Sequence, residues 1–152
     1  MNSNNVEILL VEDNPDDLEL ALHALRREKL ANNIEVARDG AEALDFIFCR
    51  GNYARRNFSQ QPRLILLDLK LPKVDGLQVL REIKNDARTK TIPVVILTSS
   101  KEEKDLVEGY TLGVNSYIQK PVDFEQFREA IKQVGLYWLV VNQPAPAAAR
   151  AA

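Results

Sequence analysis

Acids, hydroxyls and an ammonium group stand directly after short apolar runs in this chain. Glu12-Asp13 follows Val6 to Val11, Asp68 follows Leu64 to Leu67, Thr98-Ser99-Ser100 follows Pro93 to Leu97, and Lys120-Pro121 follows Ser116 to Gln119. If these run ends meet, three carboxylates crowd together, and two unit charges about 4 Å apart repel by roughly 4 kcal/mol at an effective dielectric near 20. Positive charge must offset that. Lys120 supplies one charge, and an all-oxygen cluster without His or Cys suits a hard ion such as Mg²⁺, which accepts phosphate as a further ligand. A carboxylate can itself attack phosphorus to form an aspartyl-phosphate, and Asp68, which ends the run expected to be innermost and would sit between the other groups, is the natural nucleophile.

The elements that must position these groups follow from the pattern around them. Short β-branched or Leu-rich runs alternate with helical patterns, which is the sign of a parallel sheet covered by helices. Five such units are present. Strands are expected at Val6 to Val11, Ile34 to Ala37, Leu64 to Leu67, Pro93 to Leu97 and Ser116 to Gln119. The first helix follows Asn14-Pro15 with Leu18, Ala21, Leu22 and Leu25 on one face, and the second follows Asp39-Gly40 with Ala43, Leu44, Ile47 and Phe48. The third opens at Asp75-Gly76 with Leu77, Leu80 and Ile83, the fourth covers about 102–112, and Asp123 caps the last, whose face reads Phe124, Phe127, Ile131, Val134 and Trp138. Ligands of open parallel sheets bind outside the carboxyl ends of strands, where these polar groups fall.

Composition narrows the function class. With 152 residues, one domain is expected, and a chain of this length buries roughly 68–70% of its unfolded surface without staples. Twenty Lys and Arg against 22 Asp and Glu, a net charge of −2, give no global attraction for nucleic acid or an acidic membrane. No run approaches the roughly 20 apolar residues of a membrane span, and the N-terminus lacks a secretory pattern, so a cytoplasmic protein is expected. Cys49 and His23 are single, which leaves no zinc set, and His23 lies off the apolar face of its helix. The domain is expected over 1–141, with 142–152, rich in Pro and Ala, as a disordered tail.

The segments Val6–Asn14, Leu64–Gly76, Val95–Ser99 and Tyr117–Pro121 together resemble the receiver domain of two-component response regulators, in order and at the family's spacing from about Val6 to Val134. The long segment Cys49 to Arg63 and the aromatic final helix further resemble the stand-alone regulators that partner cyanobacterial and bacterial phytochromes. The resemblance implies a flavodoxin-like, doubly wound, five-stranded parallel (βα)5 sheet of strand order 2-1-3-4-5. It also implies that Asp68 takes a phosphoryl group from a sensor histidine kinase, with Asp13, Asp68 and the carbonyl of Lys70 on Mg²⁺ and Glu12 acting through water. Thr98 and Lys120 would hold phosphoryl oxygens, Tyr117 would turn inward as Thr98 moves, and Lys120-Pro121 would be cis. On this reading the chain is a signalling module that catalyses only transfer to and hydrolysis from its own Asp68.

Two other functions are weighed against it. A Mg²⁺-dependent phosphohydrolase of the haloacid dehalogenase type would place an acid two residues after the nucleophile, where this chain has Lys70. An FMN carrier would want a hydroxyl- and glycine-rich loop after the first strand, where Glu12-Asp13-Asn14-Pro15 stands. Two further features call for partners. Cys49 to Arg63 holds Arg50, Arg55, Arg56 and Arg63 with no acid, and its length is unusual for a structureless loop, so a kinase contact is one reading and a solvated loop the other. Leu136 to Val141, with Tyr137 and Trp138, is apolar all round, which points to a homodimer built on the last helix with the fourth helix and fifth strand.

Overall fold

A computed structural model of the protein describes residues 6–27, 33–98, 108, 110–119 and 124–136. In chain order it has β1 (Ile8–Val11), α1 (Pro15–Arg27), β2 (Ile34–Ala37), α2 (Gly40–Ile47) and a 3-10 turn (Gly51–Tyr53). Then come β3 (Leu64–Leu67), α3 (Gly76–Asn85), β4 (Val94–Thr98), β5 (Ser116–Gln119) and a final helix (Phe124–Leu136). Residues 108 and 110–112 are helical too, inside the expected fourth helix, whose other positions lie outside the described residues. Tyr137 and Trp138 also lie outside them.

All strand pairs are parallel and the sheet order is β2-β1-β3-β4-β5, the flavodoxin-like order that the resemblance implies. Of the three inner strands, β1 and β3 read ILLV and LILL, with every residue buried. Apolar side chains on both faces are what a parallel sheet covered by helices requires. Leu9, Val11, Ile65, Leu67, Val94 and Ile96 join α2 and α3 in one core cluster. Ile8, Leu10, Leu64, Leu66, Val95 and Leu97 join α1 in the other, and α1 also packs against the final helix. Fully burying one Leu or Ile contributes about 1.5–3 kcal/mol, so these strands form a stiff base for whatever stands at their ends.

Small departures from the expected pattern have local causes. β1 begins at Ile8, two residues later than expected, and β4 runs Val94–Thr98 because Pro93 has no N–H and contributes only its carbonyl, which accepts from Ile65. In α2 the buried aromatic is Phe46, whereas Phe48 falls past the helix end and is half-buried. In α3 Leu80 and Ile83 are fully buried as expected, but the third apolar residue of the buried face is Val79, with Leu77 only partly buried at its margin.

The segment after α2 is organised by its own side chains. α2 has no basic residue in its last turn. Its terminal carbonyls are served from outside instead: Arg56 Nη1 donates to Phe46 O, and Gln61 Nε2 donates to Ile47 O at 2.8 Å. The Arg56 guanidinium lies 3.8 Å from the Phe46 ring centroid, and its Nη2 reaches Gln60 O at 2.7 Å. Tyr53 packs edge-on against Phe46 and donates its hydroxyl towards Glu35 and Glu42, at 3.0 and 3.2 Å. Burial first, then those two carboxylates, push the Tyr53 phenol well above its ordinary value. Arg56 is therefore a helix cap, while Arg50, Arg55 and Arg63 are exposed.

Gly40 fixes the other end of α2. A Cβ there would overlap the carbonyl oxygen of Val74, so the first turn of α2 lies directly on the loop between β3 and α3. The Gly40→Ala variant is expected to lose roughly 1–3 kcal/mol through overpacking, about 2–12 °C in melting temperature. Thermal unfolding followed by circular dichroism measures it, and an unchanged melting temperature would contradict this contact.

Candidate functional site

β1 and β3 are neighbours in register, with Val11 opposite Leu67, so the residue after each strand emerges at the same edge of the sheet. The ladder carries on for one more residue: Asp68 N donates to Val11 O, and Glu12 N donates to Ala37 O, both at 3.0 Å. These bonds bring Glu12, Asp13 and Asp68 together, with carboxylate oxygens of the three residues all within 4.8 Å of one another. Glu12 and Asp68 are buried, at 4% and 7% exposure, and Asp13 is exposed.

Backbone amides hold two of the three acids. Glu12 Oε2 accepts from Asn14 N at 3.3 Å, and Asp68 Oδ1 accepts from Lys70 N at 3.0 Å. Asn14 also caps α1: its Oδ1 accepts from the N–H groups of Asp16 and Asp17 at 2.9 and 3.1 Å. The positive end of α1 thus begins beside the acids, a placement that favours negative charge by about 0.3–1 kcal/mol. That does not balance three carboxylates. An all-oxygen donor set with two buried members fits a hard divalent cation, which prefers carboxylates, carbonyls and water.

The loop after Asp68 is held on two sides. Gly76 opens α3 directly against the strand end, since a Cβ there would overlap Asp68 O and Leu69 Cα. Lys73 takes a left-handed φ of 67° and pairs with Asp39 at 3.5 Å, while the other oxygen of Asp39, Oδ1, caps α2 by accepting from Glu42 N at 2.7 Å. The part of Asp39, Gly40 and Lys73 in positioning this loop was not read from the sequence, although the two Asp-Gly pairs, 39–40 and 75–76, were its visible signal. Thr98 is the last residue of β4 and Tyr117 lies in β5 opposite Ile96, and both are placed by backbone alone. Lys120, with its peptide bond to Pro121, lies outside the described residues.

A family model described as the response regulator receiver domain matches residues 8–132, which takes in all of this rim. The chain belongs to that family. A curated relative, the probable methanogenesis regulatory protein FilR2 of Methanothrix harundinacea, is 43% identical over 141 residues, spanning 92% of this chain and 88% of the relative. The receiver also resembles the crystal structure of the phosphorylated cyanobacterial phytochrome response regulator RcpA, with TM-score 0.86, 39% identity, and coverage of 93% of this chain and 99% of that one. The Mn²⁺-bound form of response regulator Rcp1 gives TM-score 0.85 and 36% identity, with the same coverage of both chains. The narrower resemblance to phytochrome-associated regulators thus holds as well.

The electrostatics give a test of the receiver's acid rim. Asp13→Asn removes the exposed member of the cluster, so it is expected to raise the melting temperature in the absence of metal and to weaken Mg²⁺ or Mn²⁺ binding at least about tenfold by calorimetry. In the unchanged protein, metal at about 100 times its Kd should add about 2.7 kcal/mol of stability. Equal metal affinity in the two proteins would show that the three acids do not act as one site.

Proposed function

We propose that this receiver accepts a phosphoryl group on Asp68 from the phosphohistidine of a sensor histidine kinase. The convergence of Glu12, Asp13 and Asp68 at the carboxyl ends of adjacent strands carries this reading. A carboxylate oxygen of Asp68 forms the new P–O bond, the P–N bond breaks, and the imidazole nitrogen keeps the electron pair. The Lys70 N–H at 3.0 Å fixes the rotation of the attacking carboxylate, and burial of Asp68 keeps competing water away.

Asp13, Asp68 and the carbonyl of Lys70 would hold Mg²⁺, with Glu12 reaching it through water. The ion would supply positive charge to the phosphoryl oxygens during the transfer. Thr98 and Lys120 are assigned to the remaining phosphoryl oxygens, and Tyr117 to the inward turn that follows. Thr98 ends the strand next to β3, which supports its role. Phosphorylation replaces the single negative charge of the Asp68 carboxylate by the roughly −1.5 to −2 charge of an acyl phosphate, a net gain of about one charge at most, and this shifts a two-state element instead of adding a new contact surface from nothing.

The phosphohydrolase reading is not favoured. Position 70 offers Asp68 a backbone N–H, and its side chain is a lysine, so no carboxyl group stands there to protonate a leaving group. Similarity to RcpA supports a phytochrome as the kinase, and the apolar stretch at Leu136 to Val141 supports a homodimer through the last helix, Tyr137 and Trp138, with the fourth helix and fifth strand. The described residues include no helix long and apolar enough to cross a membrane, and a cytoplasmic location is proposed with the kinase reading.

Incubation with Mg²⁺ and acetyl phosphate is expected to label the protein once per chain, and Asp68→Asn is expected to abolish labelling. Many turnovers of a phosphate ester would instead support the hydrolase. Sedimentation at tens of micromolar should show a dimer in at least one of the two states, with beryllofluoride or without it, and a monomer under both conditions would remove the dimer.

A further inference from the structure

The basic character of the chain is concentrated away from the acid rim. Residues 45–63 and 78–90 hold eight Lys and Arg against three Asp and Glu, leaving twelve against nineteen for all other positions. α2 and α3 return antiparallel to the strands, so their C-terminal ends lie at the edge where the strands begin, opposite Glu12, Asp13 and Asp68. There the two segments line an open groove of about 510 Å³ with Phe48 and Arg50 on one wall and Gln78, Arg81, Asn85 and Arg88 on the other. That volume falls within the usual range of small-ligand and side-chain pockets.

Two of the three guanidiniums of this groove lie over aromatic rings, and the third, Arg81, pairs with Glu108 at 2.8 Å. Arg50 lies 5.2 Å from the centroid of Phe48, Arg88 lies 4.1 Å from that of Phe58, and the two rings meet at 6.2 Å. A stacked guanidinium has its orientation set in advance and presents its N–H edge outward. Arg88 gives Nε and Nη2 to Asp86 at 3.1 and 2.9 Å, and among the described residues its Nη1 has no acceptor. Arg50 reaches Asp45 only at 3.9 Å, and both arginine side chains are more than half exposed, at 55% and 56%. Glu82 and Asp86 share the lining. Those carboxylates oppose a uniformly negative phosphate backbone, whereas a polypeptide can set its acids between them, seat an apolar side chain on Phe48, and bond its backbone to the Asn85 amide.

We propose that this groove is a docking surface for an acidic, aromatic-bearing peptide segment of a protein partner, gripped by Arg50 and Arg88 over Phe48 and Phe58. A partner held here leaves the acid rim open, so the grip and the phosphoryl transfer take place at opposite ends of the sheet. The inference therefore does not rest on the role proposed for Asp68.

The probe is a fluorescein-labelled peptide of repeated Glu-Phe-Glu-Ser units, titrated with the full chain and followed by anisotropy. Saturable binding is expected, weakened at least about tenfold in Arg50→Glu/Arg88→Glu and weakened further by salt. Labelling of that variant by acetyl phosphate is expected to stay at the unchanged protein's level, which separates this surface from the site at Asp68. If the double variant melts early, Arg50→Gln alone, at an exposed position, must still weaken binding. No binding, equal binding by the variants, equal binding of the Lys-for-Glu peptide, or tighter binding of a single-stranded oligonucleotide would each overturn the proposal.

Discussion

The constraint on which this structure turns is mutual repulsion among three carboxylates delivered to one place by two adjacent strands. β1 and β3 run side by side in register, so Glu12 and Asp68 emerge together whatever their charges prefer, and Asp13 follows at the surface. Burial of Glu12 and Asp68 removes the water that would otherwise screen them. The backbone amides of Asn14 and Lys70 and the start of α1 relieve part of the cost, and the rest falls to a cation. A receiver without its ion is accordingly under electrostatic load at the point where chemistry must occur. The apolar strands beneath bear that load because none of their residues is exposed.

Much of this was legible from the letters because a parallel sheet imposes a simple code. Short apolar runs such as Leu64 to Leu67, set between helical patterns, read as inner strands, and a polar residue after such a run stands at its carboxyl end. Strand boundaries at Ile34, Leu64 and Ser116 follow directly. Helical faces were read less well. In α2 the choice between Phe46 and Phe48 depends on where the helix stops, and that is set by Arg56 and Gln61, which come ten and fourteen residues after the carbonyls they serve. No local pattern encodes such a cap.

The same limit applies to the basic segment. Four arginines without an acid read as one group, a kinase contact or a solvated loop, yet the structure places them differently: Arg56 faces inward over Phe46, while Arg50 lies over Phe48 at the rim of a groove. Sequence gives the charge but not the direction of each side chain, because direction here comes from the ring of Phe46 in α2 and that of Phe48 just past its end. The clamp at Gly40, Asp39 and Lys73 shows this too. Its residues lie in two loops separated by more than thirty positions and meet only because α2 and α3 pack on the same face.

The Arg56 cap bears on how such a protein can be re-engineered. A shorter connection between α2 and β3, grafted from another scaffold, would delete the groups that close the last turn of α2, and that turn would unwind at the level of Phe46 and Ile47. Because Gly40 binds the same short helix to the loop after Asp68, the slack would travel along α2 to the acid rim. Transplanting this connection alone into a related scaffold would fail for the converse reason, so the interchangeable unit is α2 together with everything up to Arg63.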